Sequence, residues 1–150
     1  MALLDRIWLG DLPIDGVAIA TCEPCAGPDT VGLLGLNVSG GFNMTIDADR
    51  REVVFTHRAA HERHLDVKPF TDLNATFSRY PGGRVEVEVR LANNSRRGLS
   101  EATAGVKCKD QQWQVGLTDI EPGTEGTART RLPEHDSCEQ YEISLDGARW

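Results

Sequence analysis

Cys22 and Cys25 form a C-x-x-C, and His57, His61 and His64 fall at i, i+4 and i+7. These two groupings have residue types and spacings that could do chemistry. A redox-active C-x-x-C sits at a helix N-terminus after a strand, where the helix lowers the thiol pKa. Here the motif follows Val17-Ala18-Ile19-Ala20 but leads into Ala26-Gly27-Pro28-Asp29, which cannot begin a helix cleanly. A local structural bridge across Glu23-Pro24 is therefore expected. The three histidines would share one face of a helix and could bind a transition metal, with Glu62 or Glu52 as an oxygen donor. No partner shell is evident around them, so a solvated histidine-rich linker is the expectation, with no resident metal or cofactor. His61-Glu62-Arg63-His64 is one position short of the H-E-x-x-H zinc motif.

Cys108 and Cys138 stand alone in the sequence. Four-cysteine zinc sites usually combine two tight pairs, and this chain has one. Three disulfide connectivities are open, and Cys108–Cys138 with Cys22–Cys25 is the expected one, because Cys108 and Cys138 lie in strand-like segments of one apparent domain. Closing that loop contributes about 3.5 kcal/mol in the chain-entropy picture. Ser95, Ser100 and Ser137 occupy no nucleophile elbow and read as surface serines. Asn37, Asn43, Asn74 and Asn93 each begin a glycosylation sequon, a pattern frequent by chance. Trp8, Trp113 and Trp150 are too scattered for a stacking platform and are expected to cap parts of a core.

The net charge of −7 argues against nucleic acid as a partner, since a phosphate binder needs a basic face and Arg96-Arg97 is only a local one. Composition is 39% hydrophobic and 26% charged, within the globular range. No stretch approaches the roughly 18 consecutive apolar residues of a membrane span. Met1-Ala2-Leu3-Leu4-Asp5 has neither the basic nor the apolar region of a leader, so any leader is expected upstream.

The elements that must position these groups are strands. Gly 15 and Pro 7 fit many turns between short strands. Residues 3–56 read as strands at Asp5–Leu9, Ile14–Ala20, Phe42–Ile46 and Glu52–Phe55. A glycine-broken apolar run, Val31-Gly32-Leu33-Leu34-Gly35-Leu36, is expected where backbones approach closely. Residues 58–69 read as a charged linker with one or two helical turns. Arg84–Leu91 alternates β-branched with charged residues. Further strands are expected at Ala102–Lys107, Gln112–Leu117, Thr127–Leu132 and Cys138–Leu145. Together these predict an all-β chain whose residues 70–150 form an antiparallel Ig-like β-sandwich.

Residues 4–57 also resemble the closing half of a retropepsin-like aspartic protease. Gly32-Leu33-Leu34-Gly35-Leu36-Asn37 resembles the family's two hydrophobic residues and glycine in the loop crossing beneath the catalytic aspartate. Ile7–Leu12 and Val17–Ile19 resemble the strand, turn and strand after the flap, and Phe42–Asp47 with Glu52–Phe55 the final hairpin. The family's chemistry is general acid–base catalysis by two aspartates sharing a proton, each carried by an Asp-Thr-Gly. This sequence contains none. Asp29-Thr30-Val31 comes nearest, but Val31 replaces the turn glycine, so no catalytic residue is assigned.

The resemblance places the catalytic motif and flap ahead of Met1. It implies a parent endopeptidase acting on peptide or protein substrates, with this chain inactive alone. Residues 70–150 resemble, more loosely, small β-sandwich domains appended to bacterial secreted proteins, with Asn93-Asn94-Ser95 after one strand and Glu121-Pro122-Gly123 before another. A periplasmic or secreted location follows from that likeness and the cysteines. The alternative is a non-enzymatic binding or structural β module on a degenerate protease-like scaffold. A half lobe exposes sheet edges, so residues 1–57 are expected to pair with another copy, dock on the second domain, or remain partly mobile.

Overall fold

A computed structural model of the chain describes residues 1–22, 25, 27–28, 32–58, 64–109, 111–132 and 140–150. The fold is all-β with antiparallel sheets. The chain divides into two compact units, Met1–Pro69 and Phe70–Trp150.

In the first unit, alternation of apolar residues drives two hairpins. Strands β1 (Ala2–Leu9) and β2 (Leu12–Ile19) pair from Leu9↔Leu12 back to Ala2↔Ile19. Gly10, at φ +61°, makes the tight reversal, a conformation that costs other residues strain. Strands β3 (Phe42–Asp47) and β4 (Glu52–His57) form the second hairpin, closed by the Asp47-to-Arg50 turn in which Arg50 N–H donates to Asp47 Oδ1 at 2.9 Å. Between the hairpins lies a single helical turn, α1 (Leu36–Ser39), and after them another, α2 (His64–Val67). Ile14, Val17, Val38 and Phe42 form the core, with Ile7, Leu9, Leu12 and Phe55 packed on it. Phe42 and Phe55 meet edge to face at 5.9 Å, a favoured aromatic geometry.

The second unit is a β-sandwich of two three-stranded sheets. One has the order β5 (Thr71–Arg79), β6 (Val85–Asn93), β9 (Glu125–Leu132). The other has the order β10 (Glu142–Arg149), β7 (Leu99–Cys108), β8 (Gln111–Ile120). Val85, Val87, Val89 and Leu91 of β6 face inward and are buried, as are Ala102, Ala104 and Val106 of β7. A side chain on Gly126 of β9 would collide with buried Ile120 of β8, so glycine there sets how closely these strands approach.

Three sequence expectations are corrected. The run Gly32–Leu36 is not pressed against another backbone: a Cβ at Gly32 would meet nothing within 4 Å and one at Gly35 only the Asn37 side chain, while Leu33 is 74% exposed and Leu36 75%. The expected linker is not solvated throughout: Asp66 and Val67 are both 0% exposed, although Leu65, Lys68 and Pro69 are exposed. Trp8 caps no core; it is 64% exposed, with the Arg6 guanidinium 5.9 Å from its ring.

Strand β5 had no counterpart in the sequence expectations, although Leu73, Ala75 and Phe77 alternate inward along it. Ala75 is too small, and its polar neighbours too many, to make that period conspicuous.

Candidate functional site

Of the residues that the protease resemblance singled out, Ile7, Val17 to Ile19 and Leu33 to Asn37 line one groove, whereas Gly32 and the Phe42–Phe55 hairpin do not. Val17, Ala18, Ile19 and Ala20 form one wall, and Leu33, Leu34, Gly35 and Leu36 the other. Ile7, Val38, Leu65, Pro69 and Met1 complete a space of about 620 Å³. The lining is apolar except for Asn37. Such a surface can hold an apolar segment and exclude water, but it offers no acid–base pair.

Polar order behind the groove comes from Asp66. Its Oδ1 accepts the Ala18 N–H at 2.8 Å and the Asn37 side-chain amide at 2.7 Å, while that amide also reaches the Ala18 carbonyl at 3.0 Å. Ala18 thus has both backbone groups satisfied by side chains instead of a neighbouring strand. This closes the β2 edge at that point and ties α1 and α2 to it. Both bonds end on one oxygen of a wholly buried carboxylate, so Asp66 acts as a structural acceptor. Sequence reasoning took Asn37 as a sequon and as the end of the protease-like segment, and Asp66 only as linker. The legible signal was Asp66 between Leu65 and Val67, where that charged stretch offers its largest apolar side chains.

A second buried polar centre lies in the sandwich. Asn93 is 0% exposed, and its amide reaches the carbonyls of Arg97 at 2.7 Å, Ile120 at 3.2 Å and Glu121 at 3.3 Å. Its Oδ1 accepts the Ser95 N–H at 3.1 Å, and Ser95 Oγ lies 2.7 Å away. The Asn93 N–H donates to Thr124 O and its carbonyl accepts from Gly123 N–H, each at 2.8 Å. Asn93 therefore joins the loop after β6 to the turn before β9. Ser95 is buried within this loop and is not the surface serine expected, and the amide of the Asn93 sequon is closed to a glycan in the folded chain.

The cysteines separate by environment. Cys22 and Cys25 are bonded with Cα atoms 5.3 Å apart, and both are exposed. Cys108 is disulfide-bonded and 6% exposed; Cys138 lies outside the described residues. The helix that would align the histidines does not form through His57, which ends β4 with its ring 4.8 Å from that of Phe42. His61, Asp29, Thr30, Val31 and Ser137 lie outside the described residues. Among the described residues no group of three or more His, Cys, Asp or Glu side chains is placed to hold a metal ion. No described helix is long and apolar enough to cross a membrane.

On the outer face of the β5-β6-β9 sheet, Glu88 is bonded by Arg90 Nε at 2.7 Å and by Arg129 Nε at 2.5 Å. The two guanidiniums hold its carboxyl below the ordinary glutamate value, and their hydrogen bonds are the larger cause.

No family model, no curated protein and no solved structure matches this chain.

Proposed function

We propose that residues 1–57, within the unit Met1–Pro69, are the closing part of a retropepsin-like aspartic endopeptidase lobe, carried without its catalytic Asp-Thr-Gly, and that this part does not cleave peptides on its own. The observation that carries this reading is the half-built apolar surface around the Leu33-Leu34-Gly35 segment. Leu33, Leu34 and Leu36 stand open to solvent on the wall of the groove, although each is a residue a folded chain normally covers. Two separate two-stranded sheets are also fewer than a stable β lobe usually needs. In the resembled family this segment lies beneath the loop bearing the catalytic aspartate, so a completing segment with that loop would cover it.

The order of the second unit's sheets, β5-β6-β9 against β10-β7-β8, supports an Ig-like module attached to that lobe. The disulfides support an oxidising compartment, periplasmic or extracellular.

The test is to read the coding DNA upstream of Met1 and express the longer product. An in-frame Asp-Thr-Gly followed by Ser or Ala should give acid-pH peptide cleavage that the 150-residue chain lacks and that an Asp→Asn change in the motif abolishes. An authentic start at Met1 with no such motif would favour the other reading, a non-enzymatic binding or structural module.

A further inference from the structure

We propose that Cys22 and Cys25 form a thiol–disulfide exchange site whose co-substrate is a small thiol, distinct from the structural disulfide at Cys108. A staple joins segments far apart in the chain, and its worth grows with the loop it closes. Cys22 and Cys25 are three positions apart, and the Cys25 N–H already donates to the Cys22 carbonyl at 3.2 Å. The backbone therefore closes this turn without help from sulfur. The covalent bond adds little constraint, and after reduction the two thiols stay adjacent at high effective concentration, ready to close again.

Access separates the two kinds of bridge. Both Cys22 and Cys25 are exposed, whereas Cys108 is 6% exposed on the inward side of β7, two residues from wholly buried Val106. Exchange requires a thiolate to reach a disulfide sulfur, so exposed bridges are the labile ones. The thiolate of the small thiol attacks one cysteine sulfur, the S–S bond breaks, and the other cysteine leaves as a thiolate and takes up a proton. A second thiol then attacks the mixed disulfide at the small-thiol sulfur, releasing the protein thiol and the oxidised small-thiol dimer. Two electrons and two protons pass to the protein in all. Ala20, two residues before Cys22, lines the apolar groove, so the exchange site adjoins its rim along the chain.

The test uses the whole 150-residue chain, folded, in graded mixtures of reduced and oxidised glutathione, trapped with iodoacetamide and mapped by peptide mass. Cys22 and Cys25 should be alkylated together at ratios that leave Cys108 bonded. Oxidised glutathione should restore their bond, and the far-UV circular dichroism should stay constant throughout. In Cys22→Ser, Cys25 should retain glutathione as a mixed disulfide, and in Cys25→Ser, Cys22 should do so. The proposal is overturned if the pair stays bonded until Cys108 is also reduced, if its reduction unfolds the chain, or if neither single variant retains glutathione.

Discussion

The side-chain amide of Asn37 donates to the carboxylate of Asp66 at 2.7 Å, joining two short helices that lie 29 residues apart in the chain. Neither helix exceeds four residues, so neither has enough internal hydrogen bonding to persist alone. Their order is imposed by this pair and by its shared grip on Ala18.

Replacing Asp66 should therefore cost more than its lone position suggests. Asp66→Ala orphans the part-buried Ala18 N–H and removes one acceptor of the Asn37 amide, which keeps its bond to the Ala18 carbonyl, at up to about 1–3 kcal/mol for each unsatisfied donor. Asp66→Asn keeps an oxygen that can accept both bonds and should cost distinctly less. Denaturant unfolding of the two variants gives the order, and hydrogen exchange at the Ala18 amide should rise in Asp66→Ala.

In the sandwich, Asn93→Ala removes the donor facing three carbonyls and the acceptor for Ser95, and a loss of about 3 kcal/mol or more is expected. Asn93→Asp preserves shape but turns an acceptor toward those carbonyls, so it should destabilise as well. Thermal unfolding of both variants tests whether the amide matters rather than its volume. If Asn93→Asp were as stable as the parent chain, the amide would not be the organiser of this loop.

Gly126 offers a packing test. Gly126→Ala places a methyl against Cδ1 and Cγ1 of Ile120, a residue only 3% exposed, and overpacking of this kind costs about 1–3 kcal/mol. Ile120→Val removes the Cδ1 that the new methyl meets. The double variant should be more stable than the sum of the single effects predicts, a coupling readable in a double-mutant cycle.

These three sites show where sequence reading succeeds and where it stops. The alternation of Val85, Val87, Val89 and Leu91 with Glu86, Glu88 and Arg90 is a local property, and it identifies β6 and its inward face because a strand's period is two. The strands of both first-unit hairpins were legible in the same way. The roles of Asn37, Asp66 and Asn93 were not legible. Each depends on partners 19 to 48 positions away for the first two, and on Ile120 and Glu121 for the third, and no local pattern carries that information. The close backbone approach expected at Gly32 to Leu36 fails for a different reason: glycine permits such an approach but does not require it, and a Cβ at Gly32 would meet nothing within 4 Å.

The Glu88 cluster predicts a small acid-side effect. A carboxyl whose folded-state pKa is lowered contributes stability that is present above its unfolded value, 4.5, and lost as pH falls through the folded value. Stability of the sandwich should thus decline below about pH 4.5, and Glu88→Gln should flatten part of that decline. Because the cluster is solvent-facing, raising the salt concentration should reduce the difference between the two proteins.

The second hairpin makes the sharpest prediction about partners. On β3 and β4, Phe42, Met44 and Ile46 stand opposite His57, Phe55 and Val53, so one face of the hairpin is almost wholly apolar. Its inner end, at Phe42, is buried, but Ile46 is 67% exposed and Val53 51%. An apolar face that the unit's own core leaves uncovered favours association. The paired substitutions Ile46→Thr and Val53→Thr keep β-branched residues on the strands, so they should leave the unfolding midpoint nearly unchanged. They should lower dye binding to exposed apolar surface, and light scattering should show less self-association than in the parent chain. Loss of stability without a change in association would instead mean that these residues serve the hairpin's own packing.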